Sequence, residues 1–270
     1  MTNLLAAFTA VTLYLGCTVL LMMKLRQSAK VATLNKQTIL VPGFLGLGAH
    51  LYTLSVSMMS PIGINIGFFT ALSLVSAFIT LFTLVSAIRH PIEILGIVVM
   101  PVAAFAMSAD IATESVRLLP PGSPGGLIFH VVASVIAYSI LGLAALHAIV
   151  LSIQNSFLHK HQPGGLIRLL PPLKTMETLL FDTIIIGFAC LSLSLLSGML
   201  FLEDMFAQHL AHKTILSILA WLVFAVLLIG RWKVGWRGRT AIRWTLGGFI
   251  SLMLAYFGSK FVLEVILASS

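Results

Sequence analysis

An all-α membrane bundle is the fold class this sequence predicts, and three observations carry that expectation. Only 9% of its 270 residues are charged while 59% are apolar. Mean hydropathy is +1.07. The apolar residues also come in continuous runs of about 20, the length that crosses hydrocarbon as a helix; a membrane barrel would show segments of about ten residues alternating in polarity. A soluble domain carries roughly 25% charged residues. The 16 Lys and Arg and 8 Asp and Glu present cannot wet a surface of this size. Most of that surface must face lipid.

Taken in order, the expected spans are Asn3–Met23, Thr38–Met58, Gly63–Ile88, Ile92–Met107, Leu127–Ile153, Leu179–Leu202, Thr214–Gly230 and Trp244–Leu267. The fourth is the weakest, being short, with Glu93 near its start and Pro101 inside it. The range is therefore seven or eight spans, and the basic residues favour eight. Lys and Arg are retained on the cytoplasmic side. Lys24, Arg26, Lys30 and Lys36 fall in the first connection, Arg89 in the third, and Lys160, Arg168 and Lys174 in the fifth. Arg231, Lys233, Arg237, Arg239 and Arg243 fall in the seventh, so that one side holds 13 of the 16. Arg117 and Lys213 lie on the other side and Lys260 within the last span. Alternation this clean needs an even number of crossings. The expectation is a polytopic bundle of eight transmembrane helices with both termini on the outer, periplasmic side.

The first run is read as a retained span, because its charges follow the apolar stretch, the reverse of a cleavable signal peptide. No domain boundary is evident, so residues 1–270 are expected to form a single integral membrane domain. P-P-G-S-P-G-G in the long connection Ser108–Gly126 reads as turns, and Pro172–Phe181 is placed in the interface ahead of the sixth span. A four-plus-four duplication is compatible with the helix directions, but the residues of the two halves do not match.

The formal net charge of +8 has a membrane explanation. A basic chain can signal nucleic acid, yet these charges are divided among loops of one face. The seventh connection, R-W-K-V-G-W-R-G-R-T-A-I-R from Arg231, is dense enough to attract anionic headgroups. Cys17 and Cys190 fall inside spans without C-x-x-C or C-x-x-C-H, so they indicate neither a disulfide framework nor covalent haem attachment. They read as small packing residues. G-x-x-x-x-G-K, G-x-S-x-G and H-E-x-x-H are all absent, and no enzymatic activity is expected.

Chemistry must then reside in a few polar residues of the bundle. Eight histidines are many for so apolar a chain, and imidazole is a common ligand of haem and other metals. His90, His159 and His161 lie in cytoplasmic connections, and His209 and His212 in the outer connection entering the seventh span. His130 lies about 5 Å inside the outer end of the fifth span, and His50 about 12 Å inside the outer end of the second. His147 is about 25 Å along the axis from His130, too far for one haem to join them, and an interhelical hydrogen bond is the better account of it. For His50 and His130 the spacing favours neither a ligand nor a structural role. Asp110 and Glu114, with Glu203 and Asp204, make an acidic outer mouth, for which an ordinary solvated rim is the plainer explanation. Lys260 and Glu264 share a helix face and could neutralise each other. Met58, Met59, Met107, Met199 and Met205 gather toward the outside, where packing is a better account than ligation. Gly63-x-x-x-Gly67 and the Gly43, Gly46 and Gly48 cluster are expected to permit close helix approach.

Several stretches together resemble a known family. They are F-H-V-V-A-S-V-I-A-Y from Phe129, L-P-P-L-K-T-M-E-T-L-L-F from Leu170, A-H-K-T-I-L-S-I-L-A-W-L-V-F from Ala211, G-W-R-G-R at Gly235–Arg239 and A-Y-F-G-S-K from Ala255. They resemble the CcsA/HemX/YpjD group of cytochrome c assembly proteins, and most of all its bacterial YpjD-like inner-membrane branch. The resemblance is strong over residues 125–267 and rests on layout before that. It implies a multi-pass protein of the bacterial inner membrane that holds haem b between histidines near the outer face. His130 and His50 match family histidines by position, with apocytochrome c or other assembly proteins as partners and no nucleic acid. Two departures stand against haem presentation. The loop before the seventh span reads E-D-M-F-A-Q-H-L-A-H where the haem-presenting members carry a tryptophan-rich motif, and no histidine follows the last span. His212 enters near the missing motif and is a replacement ligand in a bis-histidine site with His130. The alternative expectation is a regulatory or transport-associated membrane subunit that kept the fold without presenting haem.

Overall fold

A computed structural model describes residues 2–26, 34–60, 63–113, 118–119, 122–159, 170–201 and 211–258. Eight α-helices occupy most of these: α1 (Thr2–Leu25), α2 (Lys36–Met58), α3 (Phe68–Arg89), α4 (Gly96–Ala112), α5 (Gly125–His159), α6 (Leu173–Phe201), α7 (Ala211–Lys233) and α8 (Gly238–Met253). A 3-10 turn at Glu93–Leu95 leads into α4, and a π-helical turn at Leu254–Gly258 follows α8. Seven helices are long and apolar enough to cross a membrane, all but α8, whose regular α-helical part is 16 residues long. The protein is an all-α, multi-pass membrane protein. Residues 259–270, into which the eighth expected span runs, lie outside the described residues, as do Lys260 and Glu264.

The helices form two compact units, α1–α4 and α5–α8. In each, the helices close into a ring in chain order. In the first unit α1 packs on α2, α2 on α3, α3 on α4 and α4 on α1; in the second the order α5, α6, α7, α8 closes in the same way. Short connections make consecutive helices antiparallel neighbours, which explains the shared pattern without any match between the residues.

Unit one carries a small sheet. β1 (Met59–Ser60) pairs antiparallel with β2 (Gly63–Asn65), and β2 with β3 (Leu118–Leu119), with Met59 opposite Ile64 and Ile64 opposite Leu119. The third helix therefore starts at Phe68 and not at Gly63, and Gly63-x-x-x-Gly67 is not a helix-packing motif. Gly63 has φ +140°, and a β-carbon on it would collide with the Leu119 carbonyl, so strand pairing demands glycine there. Gly43 and Gly46 do serve close helix approach, against Met100 and Leu84 and against Tyr14 respectively, whereas Gly48 faces open space.

At the opposite end of unit one, Lys24 lies 3.0 Å and Lys36 3.5 Å from the Glu93 carboxylate. The ε-ammonium of Lys36 also donates to the His90 carbonyl at 2.7 Å. Two cations of the first connection thus neutralise the acid that weakened the fourth span, and the fourth helix runs on to Ala112. In unit two, residues 173–181, expected in the interface ahead of the sixth span, are continuous with it as the first turns of α6, with Met176, Leu180 and Phe181 buried. Once a helix is nucleated, each added residue gains a hydrogen bond.

Candidate functional site

His130 lies in the second turn of α5 and faces α6. Its Nδ1 is 2.9 Å from the Ser194 carbonyl and 3.2 Å from the Ser197 hydroxyl. Ser197 already donates its own hydrogen to that carbonyl at 2.8 Å. A carbonyl can only accept, so Nδ1 must carry the proton, and the ring is the tautomer with its lone pair on Nε2. A serine pair completes the join, with Ser134 and Ser194 hydroxyls 2.7 Å apart and Ser134 also donating to the His130 carbonyl. Among the described residues nothing hydrogen-bonds Nε2. Imidazole ligands of metals are oriented in this way, by donating the distal N–H to a backbone carbonyl. On the helix face of His130 stand Ala133 and Ser134, and Gly126, against which the Phe201 ring packs; Phe129 and Val132 beside it are exposed. A neutral imidazole with Nδ1 held and Nε2 left over is a donor that could hold a haem iron.

His212 is exposed in the first turn of α7. Helices α5 and α7 each pack on α6 and α8, and no hydrogen bond or ring contact joins His130 to His212. The site's supports, Ser194 and Ser197, were not singled out from the sequence. Their signal was there in L-S-L-S-L-L-S-G, serines three apart on an otherwise apolar helix.

His50, in unit one, is fully buried with both nitrogens engaged. Nδ1 meets the Tyr14 hydroxyl at 3.2 Å and Nε2 the Ser73 hydroxyl at 2.9 Å. Tyr14 also presents its ring edge-on, with centroids 5.9 Å apart. Gly46, one turn before His50, makes this possible, since a β-carbon there would stand 3.0 Å from the Tyr14 ring. Thr53 donates to the His50 carbonyl at 2.7 Å and lies 3.3 Å from the Met107 sulfur. His50 thus joins α1, α2 and α3, with α4 reached through Thr53. His147 is buried with Thr183 of α6 at 3.4 Å, the interhelical contact expected of it. His161 and His209 lie outside the described residues.

Asp110 corrects the picture of a solvated acidic rim. It sits inside α4, only 8% exposed, and accepts a 2.7 Å hydrogen bond from Thr70. Asn65 donates to Thr70 at 3.3 Å and takes the Gly67 N–H at 3.0 Å, which fixes the start of α3. Sequence reasoning ended the fourth span too early, at Met107, and so put Asp110 in solvent. Glu114, Glu203, Asp204 and Met205 lie outside the described residues. Met107 is core, packed with Ala7 and Ala10, while Met59 and Met199 are exposed. Cys17 is buried and its thiol donates to the Ile39 carbonyl, a packing role; Cys190 is half-buried, and both are free.

Across residues 38–267 the chain matches the family described as Cytochrome C assembly protein. The chain belongs to that family. As a cytochrome c assembly family member it is 36% identical to the Inner membrane protein YpjD of Escherichia coli (strain K12) over 141 residues, 52% of this chain and 53% of that relative. The chain thus spans about half the length of that curated relative. It is 34% identical over 200 residues to an Azospirillum brasilense relative described as "Uncharacterized 28.8 kDa protein in nifR3-like 5'region", covering 72% of this chain and 73% of that one. With the Cytochrome c biogenesis protein CcsA of Prochlorococcus marinus (strain MIT 9215) identity is 26% over 204 residues, 66% of this chain and 63% of the relative. No solved structure matches. The family resemblance read from the sequence motifs is thereby established.

Proposed function

We propose that this member of the cytochrome c assembly family is a haem-binding, non-catalytic protein of the bacterial inner membrane. In this reading it spans the bilayer eight times with both termini outside, and it holds haem b near the outer face through His130, with His212 as second ligand. One observation carries the reading. The Ser194 carbonyl and Ser197 hydroxyl hold the His130 ring in the tautomer whose Nε2 is available to iron. The relatives named for cytochrome c biogenesis and for the inner membrane support it. Bound haem would supply iron redox and ligand-exchange chemistry. The protein's own part is to orient His130 and to keep Nδ1 protonated. His50 joins a haem site only by giving up Tyr14 or Ser73. The partner served is apocytochrome c or another membrane assembly protein.

A regulatory or transport-associated subunit is the second reading. It is favoured by the described tryptophans, which lie in packing or at the α7–α8 turn. Trp221 donates to Ser192 at 2.9 Å and stacks on Phe188, and Trp236 packs on Trp244. Absorption spectroscopy of the purified protein loaded with haem separates the two. The haem reading expects a Soret band that shifts or collapses in His130→Ala and weakens in His212→Ala. No Soret band after loading, or spectra unchanged in both variants, would sink it.

A further inference from the structure

The turn between α7 and α8 carries charges that neither the fold nor the haem reading uses. It is rigidly built from within. Val234 and Trp236 both donate their N–H groups to the Gly230 carbonyl, at 3.0 and 3.1 Å. Gly235 and Gly238 supply the positive φ angles, +75° and +53°, that reverse the chain. The Trp236 ring lies against Gly230, where any β-carbon would collide with it, and packs on Trp244 with centroids 5.3 Å apart. Arg231 is turned inward: its guanidinium lies 4.5 Å above the Phe181 ring and reaches the Trp236 carbonyl at 3.3 Å. Glu177 of α6 accepts the Gly238 N–H at 2.9 Å, so its carboxylate is committed to the start of α8.

What this scaffold leaves outside is a set of four exposed cations, Lys233, Arg237, Arg239 and Arg243, together with two exposed apolar residues. Trp232 is 69% and Val234 72% exposed. Among the described residues the ion pairs are those of Glu93 with Lys24 and Lys36, and none of these four cations has a carboxylate partner. An indole and a valine beside unpaired guanidinium groups, at the end of an apolar helix, match the chemistry of a membrane interface. The rings suit the headgroup boundary and the cations suit phosphate oxygens. A nucleic-acid surface would not need Trp232 and Val234 side by side at the end of a lipid-facing helix.

We propose that the α7–α8 turn is a binding site for anionic phospholipid headgroups, in which Lys233, Arg237, Arg239 and Arg243 hold the phosphate while Trp232 and Val234 enter the headgroup boundary. The site is independent of haem. The backbone of the turn is hydrogen-bonded without the lipid, so binding orders the four side chains and not the loop.

The test uses the full-length protein, stripped of lipid in a neutral maltoside detergent. It is then offered phosphatidylglycerol or phosphatidylcholine of identical chains in mixed micelles, and retained lipid is counted by native mass spectrometry. The expected result is preferential retention of phosphatidylglycerol, eroded between about 0.1 M and about 1 M salt. Each neutralised cation should cost about fivefold of that preference. The combined Lys233→Gln, Arg237→Gln, Arg239→Gln and Arg243→Gln variant should retain both lipids alike, while Arg89→Gln, an exposed cation at the end of α3, leaves the preference unchanged. Should the combined variant aggregate, Arg239→Gln alone carries the test through its expected fivefold loss. Equal retention of the two lipids by the wild type, preference surviving in these variants, or equal erosion by Arg89→Gln overturns the proposal. So does duplex DNA displacing phosphatidylglycerol at about 0.15 M salt.

Discussion

Replacing His50 by leucine tests whether this histidine is a structural link among the helices of unit one. The substitution roughly preserves volume but removes both ring nitrogens, leaving the Ser73 hydroxyl without its partner and the Tyr14 hydroxyl with Thr80 alone, in a fully buried site. Interhelical hydrogen bonds in membrane proteins average about 0.6 kcal/mol and reach about 1.7 kcal/mol, so two lost bonds cost about 1–3 kcal/mol. Losing the edge-on ring contact with Tyr14 adds about 0.5–1.5 kcal/mol. The expected destabilisation is about 2–4 kcal/mol. Tyr14→Phe and Ser73→Ala should each cost about 1 kcal/mol. Tyr14→Phe combined with His50→Leu should be less destabilising than the sum, since both remove one bond. All four tryptophans lie at 221–244, in the other unit, so their fluorescence is the wrong probe. Cys17 is the right one. It is fully buried in α1 and bonded to the Ile39 carbonyl, and it becomes reactive to a maleimide only when unit one opens. Pulse labelling across a denaturant series, with Cys190 as the reference thiol, reads the change. If all three single variants left Cys17 protection within about 0.3 kcal/mol of wild type, the three-helix link would be refuted.

Four further substitutions test the packing. Glu93→Gln leaves Lys24 and Lys36 facing each other without the carboxylate; because both lysines are partly exposed, a loss of about 1 kcal/mol in thermal unfolding is expected, smaller at high salt. Gly187→Ala places a β-carbon 2.6 Å from the buried Leu141 side chain and should cost about 1–3 kcal/mol, whereas Gly48→Ala, facing open space, should be neutral or stabilising by circular-dichroism melting. Thr70→Val deprives the Asp110 carboxyl of its 2.7 Å donor, leaving Ser57, and is expected to lower stability by about 1 kcal/mol; no change in the melting temperature would mean that the Thr70 bond contributes nothing to the fold.

Much of the bundle was legible because lipid imposes strong rules. The apolar runs located the first seven helices, and the basic residues put Lys24 and Lys36 together on one side, but that both would meet Glu93 was not legible in them. Boundaries were harder to read. The third span was begun at Gly63 because its neighbours are apolar, yet the chain there pairs as a strand. The fourth was ended at Met107, which left Asp110 outside it. A hydropathy profile cannot see that Thr70 will satisfy that carboxyl from another helix. The histidines divide the same way: their depth could be estimated from spacing, but their chemistry could not. Nothing local distinguishes His50, with both nitrogens taken, from His130, with one nitrogen held by a carbonyl 64 residues away.

By itself the sequence determined the solvent of this protein, the number of long helices within one, the family to which it belongs and the short list of polar residues that matter. These follow from composition and period, which act locally and need no partner. Tertiary structure decided which ring nitrogens are free, which acid is buried, and which arginine turns inward while its neighbours face outward. Those outcomes depend on side chains that arrive from other helices, because a buried polar group takes its state from whatever satisfies it. His130 and the α7–α8 turn became candidate sites at that level, when Ser194, Ser197, Trp236 and Glu177 came within reach.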